Sequence, residues 1–171
     1  MDPDVANTFA VLSAIAGPAL LTNATSLLTL STTNRFARAV DRSRFLLAEI
    51  GAAPAPLRPL LRRDLAASQR RARVIARAMG GLYLAAGMFA LATMLAIGGA
   101  VLQAFGISPR WGLDTMGAAA AGGIGFVALV VATFELIRES RLSLAALTIE
   151  AEEADLRLSL DSRQRSGGAH P

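Results

Sequence analysis

Residues 79–104, MGGLYLAAGMFALATMLAIGGAVLQA, run for 26 residues without one charged side chain. A helix needs roughly 20 mostly apolar residues to cross the hydrocarbon core of a bilayer. The chain has only 171 residues, is 53% hydrophobic and has a mean hydropathy of +0.46. That is too apolar for an ordinary soluble domain of this size, and the apolar residues come in blocks. Residues 115–137, TMGAAAAGGIGFVALVVATFELI, form a second such stretch, with Glu135 near its end. Residues 8–30, TFAVLSAIAGPALLTNATSLLTL, form a third, free of charge but rich in Ser and Thr. Small polar side chains are tolerated in lipid when they bond to their own helix or a neighbour. The predicted class is all-α, with three transmembrane helices.

Arginine sets the orientation. All 17 basic residues are arginine; eleven lie in 35–78, five in 138–171, and Arg110 alone lies between the second and third spans. An excess of Arg marks the cytoplasmic side. The expectation is therefore a multi-pass protein with an outer N-terminus, a cytoplasmic 35–78 segment and a cytoplasmic C-terminus. Trp111 and Tyr83 fit interfacial positions, and Asp114 suits the N-cap of the third span. Arg35, Arg38 and Arg42 share one helical face just past the first span. There they can meet anionic lipid headgroups, at about 1 kcal/mol each. No nucleic-acid recognition motif accompanies them, so no nucleic-acid partner is expected.

The helices are expected to continue beyond the membrane. Residues 34–50 lack Gly and Pro, with Phe36, Val40 and Leu47 on one face. Pro54, Pro56 and Pro59 then break the chain in 51–59, and Pro59 suits the first turn of the next helix. From Leu60 to Met79 no breaker recurs, so a second helix of roughly 65–70 Å is predicted. Beyond the third span, Ser140, Leu144, Leu147, Ala151, Ala154 and Leu158 follow alternating steps of four and three, a heptad-like seam. The predicted organisation is an outer N-terminus and first span in 1–34, an Arg-rich helical hairpin in 35–78, spans two and three in 79–137, a cytoplasmic helix in 138–163 and a disordered tail in 164–171. The extensions of helices two and three must run antiparallel. That places Arg62 and Arg63 beside Glu152 and Glu153, a predicted set of cytoplasmic ion pairs that fixes register more than bulk stability.

Three features of the spans have chemical content. Thr22, Thr25, Ser26, Thr29 and Thr33 form one stripe at 100° per residue. It reads either as hydrogen-bonding glue between packed helices or as a water-facing wall of an ion pore. Pro18 is expected to kink that helix. Glu135 reads as an ion-pair partner of Arg77 or Arg138, or as a proton or cation site. Gly117, Ala121 and Gly125 allow close helix approach, within the chain or to another copy.

The residue inventory excludes much chemistry. Without cysteine there is no disulfide framework or thiolate. The sole histidine, His170, sits in the polar tail. No metal-ligand set, phosphate loop or nucleophile with a neighbouring base is recognisable, so no cofactor is expected and the chain does not read as an enzyme. Asp2 and Asp4 replace the basic region of a cleavable signal peptide.

Three blocks carry a family resemblance: GPALLTNATSLLTLSTTNRFARAVDRSR (17–44), RRARVIARAM (70–79) and FELIRESRLSLAAL (134–147). They resemble a family of small bacterial three-helix membrane proteins that bears the domain-of-unknown-function label twenty-seven twenty-one. The resemblance implies a bacterial inner membrane and the topology above, and implies no activity. It draws attention to Asn34 and Asp41, which charge topology does not explain. Asp41 can pair with Arg38 or Arg44 on its own helix. The expected polar interface node is Asn34, Arg38, Asp41 and Arg42, with Glu135. The leading functional expectation is a homo-oligomeric, non-enzymatic assembly that presents its cytoplasmic bundle to a protein partner. The alternative is a small pore lined by the stripe of helix one.

Overall fold

A computed structural model describes the backbone of residues 3–106 and 113–167, and side chains outside 3–11, 14, 113–114, 144–150, 152–153, 156 and 159–167. Apart from short turns, the described residues form three helices: α1 (Pro3–Ala52), α2 (Arg58–Ala104) and α3 (Leu113–Gly167). The class is all-α. The break between α1 and α2 falls where the prolines put it. Leu57 N–H donates to the Pro54 carbonyl at 3.0 Å. The Arg58 side chain donates from Nε to the Ala53 carbonyl, also at 3.0 Å, and so satisfies an acceptor that the end of α1 leaves open. Pro59 occupies the first turn of α2, where its missing N–H costs nothing. α2 ends at Ala104, and Gly106 just beyond it, with a φ of 74°, takes the left-handed conformation of a glycine cap; its N–H donates to the Gln103 carbonyl. α1 continues as one helix through Pro18. α3 reaches Gly167, beyond the expected end at 163, and residues 168–171 of the expected tail lie outside the described residues.

The chain divides into two compact units: residues 1–33 with 77–134, and residues 34–76 with 135–171. In the first unit α2 packs against α3 through small residues. A Cβ on Gly125 would stand 2.9 Å from the ring of Phe89 and 3.2 Å from Met88 Cβ, and one on Gly81 would stand 3.0 Å from Ala132 Cβ. Phe89, Ala85, Leu82 and Ala92 are buried, as are Ala121 and Ala132 across from them. The seam of Gly117, Ala121 and Gly125 is thus filled within the chain.

The outward faces of this unit are apolar. Leu27, Leu30, Met94, Phe126, Val127, Val131 and Phe134 are all exposed. Two helices are long and apolar enough to cross a membrane. Their most apolar 18-residue windows, within Arg58–Ala104 and Thr115–Ser143, each have a mean hydropathy of 2.0, and only 22% and 17% of those windows is buried. A core helix of a soluble domain buries most of such a window. The first predicted span, 8–30, lies partly outside the described side chains.

The second unit has its own core. Leu46, Ala53, Leu57 and Leu61 form a buried cluster at the α1–α2 turn, backed by Ile50 and Leu65. The seam of α3 here differs from the one predicted. Ser140, Ala151, Ala154 and Leu158 are exposed, whereas Glu139 is buried and Glu135 half-buried. The apolar spacing pointed to one stripe. The inward stripe carries instead two acids four residues apart, Glu135 and Glu139, of which Glu139 is ion-paired.

Candidate functional site

From Leu57, just before α2, buried residues recur in steps of four and three: Leu61, Asp64, Ser68, then Ile75, Ala78, Leu82, Ala85, Phe89 and Ala92, with Val74 buried beside Ile75. Half-buried Arg71 fills the gap between Ser68 and Ile75. This is the heptad spacing of a packed helix seam, with a polar insert of Asp64, Ser68 and Arg71. Charge inside a packed seam is costly unless paired, and each of these side chains has a partner.

Glu139 on α3 is the centre of the insert. It is 1% exposed. Arg71 on α2 donates from Nε to its Oε1 at 2.5 Å, Arg35 on α1 approaches Oε2 at 3.4 Å, and the Ser143 hydroxyl donates to Oε1 at 3.0 Å. One carboxylate therefore ties all three helices together. Next to it, Arg42 on α1 donates to buried Asp64 Oδ2 at 2.7 Å. Ser43 donates to Ser68 Oγ at 3.0 Å, and Ser68 donates to the Ala39 carbonyl at 3.1 Å. Further along, Arg157 on α3 pairs with Glu49 on α1. The Arg42 guanidinium also lies 5.8 Å from the centroid of the Phe45 ring. Three helices held by buried, directional contacts have one register, since a slip by one turn would strand a carboxylate in the core.

The expected node of Asn34, Arg38, Asp41, Arg42 and Glu135 does not assemble. Arg42 turns inward to Asp64. Asp41 stays exposed and meets Arg44 on its own helix at 4.0 Å, one of the two partners its spacing allowed. Asn34 and Arg38 are exposed. Glu135 forms no ion pair with Arg77 or Arg138, and its Oε2 is buried without a hydrogen-bond partner. The physical reason is helical phase. Arg35 and Arg42 sit near the seam and find acids on other helices, while Asn34, Arg38 and Asp41 face away from it. Arg35 and Arg42 are thus neutralised within the bundle, where the sequence had placed them among headgroups. The predicted pairing of Arg62 and Arg63 with Glu152 and Glu153 involves acid side chains outside the described residues.

The hydroxyl stripe divides in two. Thr25 and Thr29 are buried, as is Thr32, which the predicted stripe did not include. Their hydroxyls donate to the carbonyls four residues back, at 2.6 Å to Leu21, 2.8 Å to Thr25 and 2.7 Å to Leu28. Thr22, Ser26 and Thr33 make the same bond, to Pro18, Thr22 and Thr29, each at 2.9 Å; Ser26 and Thr33 face outward. Every hydroxyl proton of the stripe is spent on its own helix, and its central members are closed off within a single chain. This is how polar side chains pack in a helix bundle. A conducting wall would need Thr25 and Thr29 open to water.

Sequence reasoning missed Glu139, Asp64, Ser43 and Ser68. Asp64 was findable as the one acid in an arginine-rich run from 58 to 77. Glu139 was findable as an acid four residues after Glu135, on the same face.

Fold and polar insert define a class: an all-α three-helix bundle with two membrane-compatible helices and a buried arginine–carboxylate network. The chain belongs to the DUF2721 family of proteins of unknown function, whose family model matches residues 15–149. No curated protein and no solved structure matches the chain.

Proposed function

We propose that this chain is a non-enzymatic protein of a bacterial inner membrane that crosses it three times, with its N-terminus outside. Residues 34–76 and 135–171 stand in the cytoplasm and present a preorganised helical bundle to a protein partner. The bacterial setting rests on the family resemblance, and the orientation on the arginine distribution. The observation that carries the reading is an outward-facing apolar surface combined with polar groups sealed inside. The long apolar stretches turn their large side chains outward, with Phe134 67% and Met94 72% exposed, while Glu139, Asp64 and Thr25 are sealed inside. Lipid is the solvent that favours such a surface. A bundle locked by three-helix ion pairs holds its outer face in one arrangement, which lowers the ordering cost of binding a partner.

Self-association belongs to this proposal, through faces other than the Gly117–Gly125 seam, which is occupied within the chain. The test is native mass spectrometry of the protein in lipid nanodiscs, followed by in-cell cross-linking from position 69 of the cytoplasmic unit. A discrete oligomer and a reproducible cytoplasmic adduct are expected. A monomer that yields no adduct in cells would refute the assembly.

A further inference from the structure

The structure sorts the arginines near the membrane boundary into two sets. Arg35, Arg42 and Arg71 are held by Glu139 and Asp64. Arg38 on α1, Arg70 on α2 and Arg138 and Arg141 on α3 are exposed and have no ion pair among the described residues, and the same holds for Arg73 and Arg77 further along α2. Internal contacts fix their levels. The bond from Ser68 to the Ala39 carbonyl sets Arg38 beside Arg70. The pair of Arg71 with Glu139 sets Arg70 beside Arg138 and Arg141. Each helix therefore contributes a cation to one level of the bundle, and each cation points away from the shared core.

We propose that Arg38, Arg70, Arg138 and Arg141 form an arginine girdle that binds the phosphates of anionic glycerophospholipids and gives the protein a preference for them over zwitterionic lipid. The proposal rests on the membrane reading above and deepens it. Two observations favour lipid over an acidic protein or a nucleic acid. First, the cations lie on the outward faces of three different helices. A single macromolecule docks on one face, whereas headgroups surround a bundle. Second, along α3 and α1 the girdle arginines follow exposed apolar residues in the chain. On α3, exposed Val131 and Phe134 lead into Ile137, Arg138 and Arg141; on α1, exposed Leu27 and Leu30 precede Arg38. Of the acids near this level, Glu139 and Asp64 are buried and engaged, exposed Asp41 meets Arg44, and half-buried Glu135 is outnumbered by the four exposed arginines, so the net outward charge at the girdle is positive.

The test compares lipid retention by the full chain in nanodiscs containing equal amounts of phosphatidylglycerol and phosphatidylcholine, read by native mass spectrometry. Wild-type protein should retain phosphatidylglycerol preferentially. Each guanidinium near an anionic surface is worth about a fivefold change in association, so Arg38→Gln/Arg70→Gln/Arg141→Gln should reduce the preference at least about tenfold. The charge-preserving Arg38→Lys/Arg70→Lys/Arg141→Lys variant should keep most of it, which separates loss of charge from loss of fold. Equal retention of both lipids by the wild type, or an undiminished preference in the glutamine variant, overturns the girdle. So does saturable binding of a polyglutamate peptide or an oligonucleotide at these arginines in purely zwitterionic discs. Extraction of the chain from membranes by alkaline carbonate would instead refute the membrane reading itself, so the two failures are distinguishable.

Discussion

Substitution of Arg71 should destabilise the cytoplasmic bundle more than substitution of its partner Glu139, although the two lose the same contact. The asymmetry follows from burial. Glu139 is 1% exposed, whereas the side chains of Arg71 and Arg35 are 38% and 44% exposed. In Glu139→Gln the two guanidiniums can turn to water, and the amide oxygen still accepts from Arg71 and Ser143. Removing one partner of a fully buried pair costs about 3–5 kcal/mol. With both cations over a third exposed, screening lowers this to about 1–2 kcal/mol for Glu139→Gln. In Arg71→Gln the carboxylate stays in the core with only Arg35 at 3.4 Å and the Ser143 hydroxyl. There the desolvated charge is the one left behind, and a loss of about 3 kcal/mol is expected. The double variant should recover part of the loss, giving a coupling of at least about 1 kcal/mol. Hydrogen exchange of the amides of residues 34–50, measured in nanodiscs, reads the opening free energy of this unit. Equal losses for the two single variants, or strict additivity in the double variant, would refute the account of Glu139 as the buried tie between three helices.

The remaining predictions concern packing. Gly125→Ala should cost about 1–3 kcal/mol, because the new methyl meets the fully buried ring of Phe89 at 2.9 Å, whereas Gly123→Ala, with nothing within 4 Å, should be neutral or slightly stabilising; denaturation in mixed micelles compares them. Leu61→Ala in the buried cluster at the α1–α2 turn should cost about 2–5 kcal/mol and raise hydrogen exchange at that end of the bundle. Thr25→Val removes a hydroxyl that bonds only its own helix at 2.6 Å. It should change stability by less than about 1 kcal/mol and leave bilayer conductance at baseline, whereas a conductance that depends on Thr25 would revive the pore.

The sequence carried the architecture because its signals were local. Pro54, Pro56 and Pro59 broke the chain where α1 gives way to α2, and absence of breakers from Leu60 onward foretold a helix that runs unbroken to Ala104. The small residues at Gly117, Ala121 and Gly125 marked a close approach, and Phe89 turned out to be what fills it at Gly125. The polar centre was harder to read because its pairs are distant in sequence: Arg35 with Glu139, Arg71 with Glu139, Arg42 with Asp64. Positive-inside counting treats all arginines alike, and so Arg35 and Arg42 were assigned to headgroups. Only the phase of each helix against its neighbours separates an inward arginine from an outward one such as Arg38. The α3 seam departs from expectation at Ser140, Ala151, Ala154 and Leu158, which are exposed, while the side chains of Leu144 and Leu147 lie outside the described residues. Apolar residues at Leu144, Leu147 and Leu158 suggested a stripe, while the inward face is marked by the acids Glu135 and Glu139.

The central claim is that the apolar faces lie in lipid and that residues 34–76 and 135–171 lie in the cytoplasm. The chain has no cysteine, so single cysteines report location without background. Gln69→Cys and Ala151→Cys should react with a membrane-impermeant maleimide in inverted vesicles and stay unlabelled in intact cells. Leu27→Cys, Met94→Cys and Val127→Cys should react from neither side. Labelling of the last three in both preparations, or of Gln69→Cys and Ala151→Cys in intact cells, would contradict the account.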